Sequence, residues 1–218
     1  MDKVMSVDKA IENIKDGATI MIGGFGGNGS PHYVIDALAK KGVKNLTLIC
    51  NDAGQAGFGS GVFVRNGQVG KMYVSIIGPN PEAVKNYAEG KFELVLIPQG
   101  SLAEMIRAGG YGLGGVLTKT GLGTLIEEGK QKITVKGEEY LLEEALQADF
   151  ALIFASRVDR SGNASFHGSA RAHSPSMAFA AKYTIVEAEE IVEVGQIDPN
   201  HVNTPGVLID AIVLSGGN

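Results

Sequence analysis

The feature that most restricts this chain is its alternation of short apolar runs with amphipathic segments. Residues 18–22, 46–50, 72–77 and 93–97 are apolar-rich runs of strand length, too short for buried helices. The segments between them carry apolar residues at helical spacing. Ser6 is placed to cap a first helix with Val7, Ile11 and Ile14 on one face, stopped by Gly17. Ser30 and Pro31 offer a cap and a first-turn proline for a helix running to Lys41 and closed by Gly42. Further helices are predicted from about Pro81 to Glu89 and from Ser101 through Glu104 and Ile106. Parallel strands need long crossovers, and a helix is the compact way to supply one. The pattern predicts one α/β domain over residues 1–218, with a single open, largely parallel sheet flanked by helices.

After Gly129 the texture changes. Lys132 to Val135 and Glu138 to Leu141, joined at Lys136-Gly137, predict a hairpin insertion near 132–141. Phe150 to Ala155 predicts a buried strand, residues 159–163 a turn and residues 175–182 a helix. Tyr183 to Val186 and Val207 to Val213 predict the last strands. A net charge of -5 gives no general attraction to phosphate backbones, so no nucleic-acid partner is expected. No apolar run approaches the roughly 20 residues that span a bilayer, so no membrane association is expected. The start of the chain leads into a charged amphipathic segment rather than a signal peptide. One cysteine, Cys50, excludes an intramolecular disulfide framework and a cysteine-built metal site. These features predict a cytoplasmic enzyme or enzyme subunit.

Glycine, at 31 residues, is about twice its usual share of roughly 7%, and it clusters at 23–29, 57–61, 109–115 and 121–123. The first cluster follows a predicted strand and contains Gly24-x-Gly26-x-x-Gly29, the spacing of a dinucleotide-binding loop. Asp52, ending the next strand, stands where a ribose-binding carboxylate would be expected. An NAD(P)-dependent oxidoreductase is therefore one reading. Pro31 opposes it: proline suits the first turn of a helix and not the second, so the helix starts after Gly29. Gly23 to Gly29 then form a longer loop with outward backbone N–H groups, suited to an anionic or carbonyl-bearing ligand. A non-catalytic ligand-binding α/β module is a further reading.

The loop sits in a longer pattern: Asp16-Gly17, two residues, Ile20-Met21-Ile22, Gly23-Gly24-Phe25, three residues, then Gly29-x-Pro31. This resembles the signature of the A (alpha) subunit of family I coenzyme A transferases, the 3-oxoacid type. Asn51 to Gly54, Pro98 to Gly110, Gly112 to Lys130, Tyr140 to Ile153 and Ile185 to Asp210 also resemble family segments, so the resemblance spans nearly the whole chain. Its middle block is most similar to bacterial acetate or butyrate:acetoacetate transferases. The resemblance implies transfer of coenzyme A from an acyl-CoA to a short-chain carboxylate through a glutamyl-CoA thioester. It implies no permanently bound cofactor, coenzyme A and acyl-CoA being substrates. It places the nucleophilic glutamate on a partner B (beta) subunit, in an expected assembly of two A and two B chains. No glutamate here stands in the short glutamate-asparagine-glycine context of that nucleophile, so this chain alone is expected to be incomplete.

For the site, the resemblance makes Gln99 an oxyanion donor. Its place just past the predicted strand 93–97 agrees, because ligands approach open α/β sheets at such ends. The resemblance assigns coenzyme A binding to Gly24, Phe25, Gly26, Gly27, Asn28, Gly29 and Ser30, and Asn51 is a further polar contact for the acid substrate. Lys119 and Arg107 are candidates for the coenzyme's phosphates. His32, His167, His173 and His201 share no metal-ligand spacing, so no metal site is expected, and each histidine is read as a surface or packing residue. Cys50 is read as a buried, inert thiol. Glu127-Glu128 and Glu189-Glu190 are read as solvated pairs. The chain departs from the family at Ala172-His173-Ser174-Pro175, where related chains commonly read asparagine-phenylalanine-asparagine-proline. Other departures fall at Gly70 and at Gln55 to Ser60.

Overall fold

A computed structural model describes residues 2–216. In chain order the strands are β1 (Thr19–Ile22), β2 (Leu46–Cys50), β3 (Val69–Val74), β4 (Glu93–Leu96), β5 (Gly115–Thr118), β6 (Lys132–Val135), β7 (Glu138–Glu144), β8 (Ala148–Asp159), β9 (Ala164–Ser165), β10 (Ala181–Val192) and β11 (Ala211–Leu214). The α-helices are α1 (Val7–Ala10), α2 (His32–Lys41), α3 (Gly61–Arg65), α4 (Pro81–Ala88), α5 (Gln99–Gly110) and α6 (Ser174–Ala180).

Seven strands run parallel in the order β11-β10-β8-β1-β2-β3-β4, and short β9 pairs antiparallel with β8. The chain starts at the centre with β1, steps outward to β4, then returns to β8 on the other side of β1. Connections leaving β1 and β8 therefore diverge, which opens a crevice beyond the carboxyl ends of these strands. The open, largely parallel α/β sheet read from the sequence is present.

Alternation along the strands divides the core between the two faces. Ile20 and Ile22 of β1 pack with Leu48, Met72, Ile35, Leu38 and Phe63 on one face, under α1 to α4. Met21 and Ile49 face the other way, against Leu102, Ile106 and Met177 of α5 and α6. All twelve of these named side chains are no more than 2% exposed, and burying each contributes about 1.5–3 kcal/mol.

The structure corrects several expectations. The first helix is a single turn, Val7–Ala10, capped by Ser6 Oγ, which accepts from Lys9 N at 3.4 Å. Beyond it, Lys41 Nζ donates to the carbonyls of Ile11, Glu12 and Ile14 at 2.6–2.8 Å, which satisfies the terminal acceptors that a longer helix would have used. Ile11 and Ile14 are buried all the same. Ser30 does not cap α2: its hydroxyl donates to Gly23 O at 3.0 Å, and Pro31 occupies the cap position. The final strand starts at Ala211 rather than Val207, which lies 86% exposed in a 3-10 turn. The hairpin β6–β7 is present but belongs to a three-stranded antiparallel sheet completed by β5.

Candidate functional site

Two glycine turns lie side by side at the carboxyl ends of β1 and β2. In the first, Phe25 and Asn28 exchange backbone hydrogen bonds at 2.9 Å, and in the second Gln55 and Phe58 do the same at 3.0–3.2 Å. Gly24, Gly26, Gly27 and Gly29 all have φ between 56° and 103°, a backbone region that ordinary side chains disfavour. The Asp52 carboxylate ties the turns together. It accepts from Gly26 N at 2.7 Å and Asn51 Nδ2 at 3.1 Å through one oxygen, and from Gly54 N at 2.9 Å through the other.

The expectation that the whole first loop presents outward N–H groups is too broad. Phe25 and Asn28 pair with each other, Gly26 N donates to Asp52, and Ser30 N donates to Gly27 O at 3.3 Å. Among the described residues, the N–H groups of Gly24, Gly27 and Gly29 donate to no protein acceptor. Phe25, Gly26 and Asn28 are exposed, whereas Gly24 and Ser30 are buried. The Phe58 ring packs against Gly27 and stacks on His32, ring centroids 4.3 Å apart. His32 Nε2 in turn lies 2.9 Å from Gly27 O.

Gln99 opens α5 directly, because Pro98 occupies the cap position and Ser101 lies buried inside the first turn. Its exposed amide meets two other residues at the same end of the sheet. His173, at the cap of α6, places Nε2 3.2 Å from the Gln99 amide and 3.4 Å from Asn51 Oδ1. Asn51 is 1% exposed at the end of β2. The three predicted elements of the site, Gln99, Asn51 and the glycine loop, are thus connected through His173 and Asp52. The arrangement can offer amide and backbone N–H donors to an anionic oxygen without adding positive charge.

Features that suggested a dinucleotide are used internally. Glu187 of β10 reaches the start of α2, where its carboxylate accepts from Val34 N at 3.1 Å and from Ser215 Oγ at 2.7 Å. That is the place a pyrophosphate would take on a nucleotide-binding helix. Burial pushes the Glu187 carboxyl above its ordinary range. Asp52, holding the two turns, is no free ribose ligand.

The remaining candidates are placed elsewhere. Lys119 pairs with Glu138, and Arg107 pairs with Glu104 at 2.6 Å, so each cation already has a carboxylate. Burial raises the pKa of Cys50, an inert thiol at the end of β2. His201 lies on the surface beside Asp198, and among the described residues no group of His, Cys, Asp and Glu could hold a metal ion. Glu189 and Glu190 are exposed, and Glu190 pairs with Arg157 at 2.8 Å. No helix among the described residues is long and apolar enough to cross a membrane.

Residues 4–215 match the family model described as coenzyme A transferase. This chain belongs to the coenzyme A transferase family. It is 48% identical over 213 residues to the acetate CoA-transferase subunit alpha of Escherichia coli K12, covering 98% of this chain and 97% of that one. It is 50% identical over 211 residues to the acetoacetyl-CoA:acetate/butyrate CoA transferase alpha subunit of Clostridium acetobutylicum, covering 97% of each. Among solved structures, the fold matches the glutaconate coenzyme A-transferase of Acidaminococcus fermentans with a TM-score of 0.86 at 24% identity, covering 97% of this chain and 75% of that one. It also matches an acyl-CoA transferase from Escherichia coli O157:H7, solved as a thioester complex with CoA, with a TM-score of 0.88 at 23% identity. The match covers 98% of this chain but 47% of that transferase, so this chain spans about half its length. Membership in the coenzyme A transferase family makes this chain part of an enzyme and leaves the oxidoreductase and binding-module readings without support.

His173, Asp52 as a brace and Glu187 are the site's residues that sequence reading missed. Spacing gave no signal for His173, which lies 74 residues from Gln99 and 122 from Asn51. The departure at Ala172-His173-Ser174-Pro175 was the one local pointer to it.

Proposed function

We propose that this chain is the alpha half of a heteromeric enzyme that moves coenzyme A from an acyl-CoA to a short-chain carboxylate, with 3-oxo acids among its substrates. The observation that carries the reading is the make-up of the crevice. It gathers amide and backbone donors, and among the described residues its carboxylate, Asp52, is not free, because it accepts three N–H groups. Such a site can stabilise a negative oxygen but supplies no nucleophile, which is what an alpha subunit needs to be. The partner beta subunit supplies the glutamate, in an assembly of two alpha and two beta chains. The single, buried and unpaired cysteine is in keeping with a reducing, cytoplasmic setting.

The partner's glutamate attacks the thioester carbonyl and forms a tetrahedral oxyanion. Collapse of that oxyanion expels coenzyme A thiolate and leaves an acyl-glutamyl anhydride. Thiolate then attacks the glutamyl carbonyl, releasing the first carboxylate and forming glutamyl-CoA, and the acceptor acid repeats the steps in reverse. Each transfer conserves the thioester's free energy in a covalent intermediate. Gln99 donates to the oxyanion, Asn51 contributes to the acid's surroundings, and the first glycine turn, Gly24 to Ser30, lines the coenzyme cleft.

Gln99→Ala, assayed in the reconstituted pair, is expected to lower kcat about 10²-fold, the scale for one oxyanion donor. A kcat within about twofold of the unsubstituted pair removes Gln99 from the mechanism.

A further inference from the structure

The contacts around His173 form a chain whose direction chemistry can assign. A carboxylate only accepts hydrogen bonds, so the Asn51 atom 3.1 Å from Asp52 Oδ2 is its NH2 group. The Asn51 carbonyl oxygen is thereby aimed at His173 Nε2, 3.4 Å away. Two lone pairs facing each other repel, so Nε2 carries the ring proton. The end of the Gln99 amide placed 3.2 Å from the same nitrogen is its Nε2, which would set two donors against each other. The oxygen and nitrogen ends of a primary amide are isosteric, and the surrounding network decides which one faces a neighbour. A donor at Nε2 selects the Gln99 carbonyl oxygen and turns the Gln99 NH2 away from the ring. Burial lowers the His173 pKa below its ordinary value, so the ring is neutral near pH 7 and holds one proton.

We propose that His173 is a positioning residue which, as its Nε2–H tautomer, holds the Gln99 amide with its NH2 group presented to the reacting oxygen. The proposal rests on the role given to Gln99 above. The opposite tautomer would draw the NH2 toward the ring and present a carbonyl oxygen, which would repel an oxyanion. One imidazole proton thus decides whether Gln99 faces the reaction as donor or acceptor. The brace continues from His173 through Asn51 and Asp52 to Gly26 N, so the amide is referenced to the first glycine turn. His173 stands in the segment where this chain departs from the family pattern.

Nitrogen-15 spectra of the imidazoles in the full chain read the tautomer directly. The proposal predicts Nε2–H for His173, and an Nδ1–H assignment overturns it. Kinetics of the reconstituted pair, with acetoacetyl-CoA and acetate as probes, supply a second readout. His173→Phe should lower kcat about 10-fold with KM within about twofold, and His173→Gln, which keeps a donor near the Nε2 position, should recover kcat to within about threefold of wild type. In a Gln99→Ala background, His173→Phe should change kcat by less than about twofold, because its effect passes through Gln99. A His173→Phe loss of equal size in both backgrounds overturns the proposal, as does a folded His173→Gln pair as slow as the phenylalanine variant. A normal Gln99→Ala loss beside an unaffected His173→Phe pair overturns the positioning role alone. An unaffected Gln99→Ala pair removes the underlying reading of the site as well.

Discussion

The two glycine turns make the same pair of backbone hydrogen bonds, yet they have different surroundings. The first turn, between β1 and α2, keeps three N–H groups free of protein acceptors among the described residues and exposes Phe25 and Asn28. The second, between β2 and α3, also leaves the N–H groups of Ala56, Gly57 and Gly59 without a protein acceptor among the described residues, but its own elements pack it more closely. Ser60 Oγ donates to Asp52 O at 3.1 Å, Gly54 and Gly59 are buried, and the Arg65 guanidinium covers Gly57. Phe58 of the second turn then leans on Gly27 and His32 of the first. One turn faces the crevice, and the other supports it. Glycine content alone does not distinguish a ligand loop from its brace; the neighbouring side chains do.

Substitutions can break this comparison at positions of decreasing severity. Gly29→Ala should have the largest effect. Its φ is +70°, and an added Cβ would overlap the backbone of Ala170, which cannot yield as a flexible side chain can. A loss of about 3 kcal/mol is expected, seen as a fall in Tm of roughly 6–12 °C. Phe58→Ala tests the supporting role. It removes the stack on His32 and should cost about 1–2 kcal/mol, and in the reconstituted pair it should raise KM for acyl-CoA while kcat stays within about twofold. If KM is unchanged, the second turn does not hold the first in place for binding. Gly26→Ala should be the mildest. Its φ is +56° but nothing lies within 4 Å of the added Cβ, so only the backbone cost of about 1 kcal/mol applies. A Gly26→Ala chain that melts as low as Gly29→Ala would show that conformation, rather than the packing on Ala170, governs this turn.

Much of the fold was legible because it is written in local patterns. β2 begins and ends where the apolar run Leu46 to Cys50 does, and α4 follows Pro81 behind the cap of Asn80, whose side chain accepts from Glu82 N and Ala83 N. What escaped depends on distant partners. β8 and β10 each run twelve residues, well past their apolar centres, because their parallel ladder continues through Arg157–Glu190, Val158–Ile191 and Asp159–Val192. β5 lies beside a glycine cluster and is only half buried, so it lacks the apolar signature that marked the central strands. The cap of α2 is the clearest case: Ser30 has the right residue type in the right place, yet Glu187 supplies the acceptor from 153 residues away. At the site, Gln99, Asn51 and the first turn were legible through a resemblance, and the structure adds the histidine and carboxylate that connect them.

The most direct test of the central reading is turnover of the purified chain with an acyl-CoA and a short carboxylate, alone and after addition of its beta subunit. The expected result is no transfer by the chain alone, transfer on mixing, and a coenzyme A adduct carried by a glutamate of the beta chain. Transfer by the isolated chain, or an adduct on one of its own glutamates, would contradict it.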